Sequence, residues 1–182
     1  MLIIHANDPT TSFLKALYEG RDDISGRIDE NSTNGAVIRA LKSAQRIMML
    51  GHGCESGLFS TPDKDGMFRP LVYSRHAEFL RGKECIGIWC KAKEFAEDYD
   101  LEGLFSGMII SEMNEAKLFE IATTEEELKR ENDKFALRLR TCLDNYPLSE
   151  IPLRMLMLDD VQSPLTTFNY SKLYYYPPYQ EG

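Results

Sequence analysis

The sequence predicts an α/β fold, a three-layer sandwich in which helices cover both faces of a mostly parallel sheet of about six strands. Three observations predict it. Continuous apolar runs at residues 2–6, 46–50 and 85–89 have the length of strands buried on both faces. Between them lie stretches whose apolar residues recur at helical spacing. Gly, Pro or Asn-Asp punctuates the changes from one pattern to the next. With 182 residues, of which 43% are hydrophobic and 27% charged, the chain has the size and balance of one domain spanning residues 1–182.

Each element has its own warrant. Residues 2–6 form a buried strand that ends at Asn7-Asp8-Pro9. Residues 10–18 then place Phe13, Leu14, Leu17 and Tyr18 on one helical face, and Gly20 stops the helix. A short strand follows at 24–28. Ser32 or Thr33 starts the next helix, with Val37, Ile38 and Leu41 in register. The apolar run 46–50 is a strand broken by Gly51-His52-Gly53. Asp63-Lys64-Asp65-Gly66, flanked by apolar residues, marks a hairpin. A short surface helix covers 74–81, a buried strand 85–89, a helix 93–99, and a fifth parallel strand 107–110. Thr124 and Glu127 have capping-box spacing and open the longest helix. Its stripe of Leu128, Phe135, Leu139, Cys142 and Tyr146 ends at Pro147. Residues 166–176, rich in β-branched and aromatic side chains, are expected to form a late edge strand. Tyr174-Tyr175-Tyr176 and Tyr179 make an aromatic tail suited either to closing the core or to an interface.

Charge and cysteine usage narrow the function. Against 21 Lys and Arg stand 29 Asp and Glu, a formal charge of −8 with no basic run, so nucleic acid is not an expected partner. No apolar run approaches the ~20 residues of a membrane helix, so no membrane is expected either. Met1 leads directly into Leu2-Ile3-Ile4-His5 without the features of a secretory leader, and the four cysteines lack CxxC spacing. Reduced thiols in a cytoplasmic protein are therefore expected.

In open α/β sheets, ligands gather at the carboxyl ends of the strands. Asp8, His52-Gly53, Cys90 and Ser111-Glu112 occupy those ends and combine a thiol, an imidazole and carboxylates. A Cys and a His delivered by different strands form a nucleophile constellation. Zinc is the competing reading of His52, Cys54, Cys85 and Cys90. It is disfavoured because residues five apart in a strand point to opposite faces, and neither metal nor cofactor is expected. Cys85, Cys142 and His5 read as core residues, and His76 as solvated.

Ile47-Met48-Met49-Leu50-Gly51-His52-Gly53 followed by Ile86-Gly87-Ile88-Trp89-Cys90 resembles the caspase-like (clan CD) cysteine peptidases, which include caspases, metacaspases, legumains, gingipains and CHAT proteins. The intervening hairpin and the strand after the long helix also look like that family's layout. The resemblance implies a caspase-like sheet and a cysteine endopeptidase acting on a protein or peptide. Cys90 would be the nucleophile, His52 the general acid–base, and the backbone N–H groups of Gly53 and Cys90 the oxyanion hole. Gly53 would let substrate approach the main chain. Lys91-Ala92-Lys93 departs from the small Ser-Gly-type turn of many members, and the two lysines are candidates for lowering the thiol pKa. The family places the loops after the first and fifth strands around the primary specificity pocket. Asp8, Glu112 and Glu115 would there receive a Lys or Arg side chain. The alternative is a catalytically inactive caspase-like binding or regulatory module.

Overall fold

The computed structural model describes residues 1–178, so Tyr179 lies outside the described residues. The chain runs β1 (Leu2–His5), a 3₁₀ helix (Pro9–Leu17), β2 (Gly26–Ile28), α1 (Asn34–Ser43) and β3 (Arg46–Leu50). A small antiparallel sheet follows, made of β4 (Gly53–Cys54), β5 (Gly57–Pro62) and β6 (Phe68–Tyr73). After a 3₁₀ helix (Ser74–Phe79) come β7 (Glu84–Ile88), α2 (Ala92–Tyr99), β8 (Gly103–Ser106), α3 (Met113–Leu118) and α4 (Glu125–Asn145). A 3₁₀ turn (Leu148–Glu150), α5 (Ile151–Met157), α6 (Pro164–Tyr170) and β9 (Leu173–Tyr176) complete it.

The main sheet has six strands in the order β2-β1-β3-β7-β8-β9. The first five are parallel, and β9 closes the edge antiparallel to β8. Alternation along the buried strands feeds two cores. Leu2, Ile4, Ile47, Met49 and Cys85 face Val37 and Leu41 of α1 and Phe95 of α2. Ile3, Met48, Leu50, Ile86, Ile88 and Leu104 face Leu14, Leu17, Phe135, Leu139 and Met155 on the other side. The expected α/β architecture with helices on both faces is thus present. Side-chain caps begin the longer helices as read: Thr33 accepts from the Ala36 N–H, and Thr124 from the Glu127 N–H.

Four expectations need correction. The fifth parallel strand is Gly103–Ser106, not 107–110. Ile109 and Ile110 are buried, but the Ile110 N–H donates to Asn169 Oδ1 at 2.8 Å and its C=O accepts from Asn169 Nδ2 at 3.0 Å, outside the sheet. Burial without a strand partner produced the same apolar signature. Residues 166–170 are helix: Ser163, in a capping box with Thr166, and Pro164 open α6, and the strand keeps only Leu173–Tyr176. Tyr146 leaves the α4 stripe and stacks on the Arg154 guanidinium. His76 is fully buried, not solvated. Its Nδ1 accepts the Tyr73 N–H and its Nε2 bonds Asn34 Oδ1 at 2.8 Å, tying the Ser74–Phe79 helix to α1. His5 is the core histidine expected, held between Tyr18 Oη at 3.1 Å and Thr11 Oγ1 at 3.2 Å. No helix among the described residues is long and apolar enough to cross a membrane.

Candidate active site

Two neighbouring parallel strands deliver His52 and Cys90 to one end of the sheet. β3 ends at Leu50, and Gly51 turns the chain outward with φ +139°, a conformation suited to glycine. Beside it, β7 ends at Ile88, whose C=O accepts the Gly51 N–H at 3.1 Å. Trp89 then carries the chain to Cys90. Ser106 at the end of β8 staples that exit, donating from Oγ to the Trp89 C=O and accepting the Trp89 N–H. Lys91 takes a left-handed φ of 66° immediately before α2 begins.

The Trp89 indole joins the two loops. Its Nε1–H donates to the Cys54 C=O at 3.2 Å, and its ring lies against Gly53 so closely that a Cβ there would be 2.2 Å from Trp89 Cδ1. The missing side chain of Gly53 therefore makes room for Trp89, a role distinct from the substrate approach expected from sequence. The Cys90 N–H has no hydrogen-bond partner among the described residues and is free to donate.

His52 and Cys90 line one small cavity of about 20 Å³, bounded also by Gly51, Ile88 and Ile109. The Cys90 thiol lies 3.7 Å from the Ile109 C=O and 3.8 Å from Glu115 Oε1. Burial, and next the Glu115 charge, push this thiol up to about 12. The lysines flanking it do not oppose that shift in the way expected: Lys91 pairs with Glu55 at 2.9 Å, and Lys93 lies over the Tyr174 ring near Glu97. Cys90 at rest is a thiol, not a thiolate.

A larger cavity of about 550 Å³ opens beside the first and shares His52. Asp8, Glu112 and Glu115 all line it, together with Thr10, Pro62 and Phe68. The three acids singled out at strand ends thus converge with the imidazole. Asp8 caps the first 3₁₀ helix through Oδ1. Glu112 Oε1 lies 3.8 Å from His52 Nε2. Glu115 accepts the N–H groups of Ser111 and Glu112 through Oε2 and turns Oε1 toward Cys90.

Sequence reasoning missed two residues here. Thr10 bonds His52 directly, and its signal was the Asp8-Pro9-Thr10 turn after the first strand. Phe68 packs edge-on to the His52 ring at 6.2 Å, and no sequence signal lifted it above an ordinary hairpin residue. Among the described residues no group of three or more His, Cys, Asp or Glu side chains is arranged to hold a metal ion. No protein-family model and no curated protein matches this chain.

Proposed function

We propose that this chain is a cysteine endopeptidase of caspase-like fold that cleaves after a basic residue. The observation that carries the reading is the shared cavity of His52 and Cys90, reached from the ends of adjacent parallel strands. The sheet order, with one antiparallel edge strand and a small sheet inserted after His52, is consistent with the family that the sequence resembles.

In the proposed reaction the substrate carbonyl lies over Cys90. Because the thiol is held protonated, its proton passes to His52 as sulfur attacks the carbonyl carbon. The Cys90 and Gly53 N–H groups receive the charge that develops on oxygen. His52 then protonates the leaving amine as the C–N bond breaks, leaving a thioester. Water adds to that thioester with its proton taken by His52, and sulfur leaves to recover the thiol.

Three carboxylates around a cavity of this size favour a Lys or Arg side chain before the scissile bond, with Phe68 and Pro62 along its methylenes. Asp8 is the proposed determinant, since Oδ1 is engaged by Thr10 and Oδ2 is left for the substrate cation. Glu112 and Glu115 support it. The test is a set of fluorogenic peptides differing only at that residue. Hydrolysis after Lys and Arg is expected, and Asp8→Asn should weaken that preference more than it slows a neutral analogue. Preference for Asp or a bulky apolar residue would overturn the specificity and leave the Cys–His assignment standing. Complete inactivity across the set favours the second reading, a binding module of the same fold, for which the double hold on the Cys90 thiol speaks.

A further inference from the structure

Thr10 stands between a carboxylate and the candidate acid–base. Its hydroxyl donates to Asp8 Oδ1 at 2.6 Å, and the same oxygen lies 2.6 Å from His52 Nε2. A hydroxyl has one proton to give. With that proton on Asp8, the oxygen can only accept, so Nε2 must carry the hydrogen. The Thr10 contact therefore selects one imidazole tautomer. Nδ1 keeps its lone pair, and among the described residues it has no hydrogen-bond partner.

The support beneath Thr10 is rigid. Asp8 Oδ1 also accepts the Thr10 backbone N–H at 2.9 Å, locking the first turn of the 3₁₀ helix. The next residue, Thr11, is buried and reaches the core histidine His5 at 3.2 Å. Glu112 and Glu115 line the same cavity, but Glu112 Oε1 is 3.8 Å from Nε2, beyond hydrogen-bonding reach, and Glu115 turns its Oε1 toward Cys90. Phe68 borders the ring edge-on.

We infer that Thr10 is a positioning residue that holds His52 in the Nε2–H tautomer and couples it to the Asp8 carboxylate. This rests on the Cys90–His52 reading above and names the part that orients it. The proton from the Cys90 sulfur goes to Nδ1, making an imidazolium. The Nε2–H stays on Thr10 Oγ1 throughout, and Nδ1–H later goes to the leaving amine. No proton crosses Thr10. Asp8 steadies the transient positive charge through the polarised hydroxyl, as an orienting third group does for other histidine bases.

The test reads the ring directly. Nitrogen-15 NMR of His52 in a Cys90→Ala background, at alkaline pH, should show the Nε2–H tautomer. Thr10→Val should give a mixture of tautomers, and Thr10→Ser should restore the single form. Thr10→Ala serves if the valine variant misfolds, since the backbone N–H to Asp8 survives in both. With Cys90 intact, Thr10→Val should lower kcat on a Lys or Arg peptide at least ~10-fold, part of the ~10²–10⁴ that acid–base catalysis supplies, with KM nearly unchanged. An Nδ1–H ring with Thr10 present, or an unchanged tautomer in Thr10→Val, overturns the inference. The spectrum needs no substrate, so it decides this point even if the native chain hydrolyses no peptide and the peptidase reading falls.

Discussion

Glu115 holds its Oε1 3.8 Å from the Cys90 sulfur while its Oε2 takes the N–H groups of Ser111 and Glu112. The side chain that closes the capping box of α3 thus also places its charge beside the candidate nucleophile. Together with burial it pushes the thiol up to about 12, so iodoacetamide should label native Cys90 slowly at neutral pH and faster only as the pH is raised. Glu115→Gln keeps a hydrogen-bond acceptor and removes the charge. It should bring labelling to lower pH, with ~10-fold more thiolate for each unit by which the thiol pKa falls, offset in part by the lower nucleophilicity of a less basic thiolate. Mass spectrometry of the labelled peptides measures this, with buried Cys85 as the internal reference. A native Cys90 that labels as fast as an exposed thiol would contradict the geometry.

Shared chemistry predicts non-additive losses. Cys90→Ala and His52→Ala should each abolish hydrolysis of a peptide that the native chain cleaves, and the double variant should be scarcely worse. Steady-state rates of the three variants check it, and independent losses that multiply would argue against one active site. Both residues follow strand ends, so thermal unfolding should change little.

His5 sets an acid limit on stability. Burial, then the charges of Lys15 and Arg27, lower its pKa to about 4 from the ordinary value of 6.5. The unfolded chain therefore binds a proton that the folded chain refuses. Stability from this group is complete above about pH 6.5 and is lost as pH falls toward about 4, by roughly 3 kcal/mol in all. Urea midpoints and slopes at pH 7.5 and 4.5 measure most of that loss. In His5→Gln the difference should shrink by that amount, which separates His5 from buried His76, whose pKa is shifted the same way. An undiminished difference would refute the assignment.

Gly53→Ala should be costly out of proportion to one methyl group. The new Cβ would meet Trp89 Cδ1 at 2.2 Å and the Gly57 C=O at 2.5 Å, so either the indole or the small sheet must move. Overpacking of this kind costs about 1–3 kcal/mol. Trp89 is the single tryptophan of the chain, so its fluorescence should shift as well as the melting temperature fall. An unchanged spectrum would mean that the loops are not clasped by the indole.

The strands β1, β3 and β7 were legible because burial on both faces leaves a continuous apolar run, and those runs gave the positions of Asp8, His52 and Cys90. The same signature misled at 107–110, because Ile109 is buried in the core that contains Leu14 and Phe135, and Ile110 packs with Leu128 and Leu165, neither with a strand partner. α6 itself was obscured by Thr166, Thr167, Phe168 and Tyr170, residues of strand-like propensity that tertiary packing carries in a helix. The sequence placed a lysine on each side of Ala92 near the thiol, but could not say that Glu55 and Glu97 hold both lysines. The turn that carries Thr10 was legible, but its pairing with His52, 42 residues further on, was not, because only the sheet brings the two together.

The clamp of Asn169 on Ile110 joins positions 59 residues apart and fixes the segment that leads to Glu112 and Glu115. At ribosomal speeds of ~5–20 residues per second, Asn169 is synthesised roughly 3–12 s after Ile110. For that interval a nascent chain already carries His52 and Cys90 but lacks the residue that anchors one wall of the cavity. On the peptidase reading, the substrate-binding wall is complete only once α6 has been made.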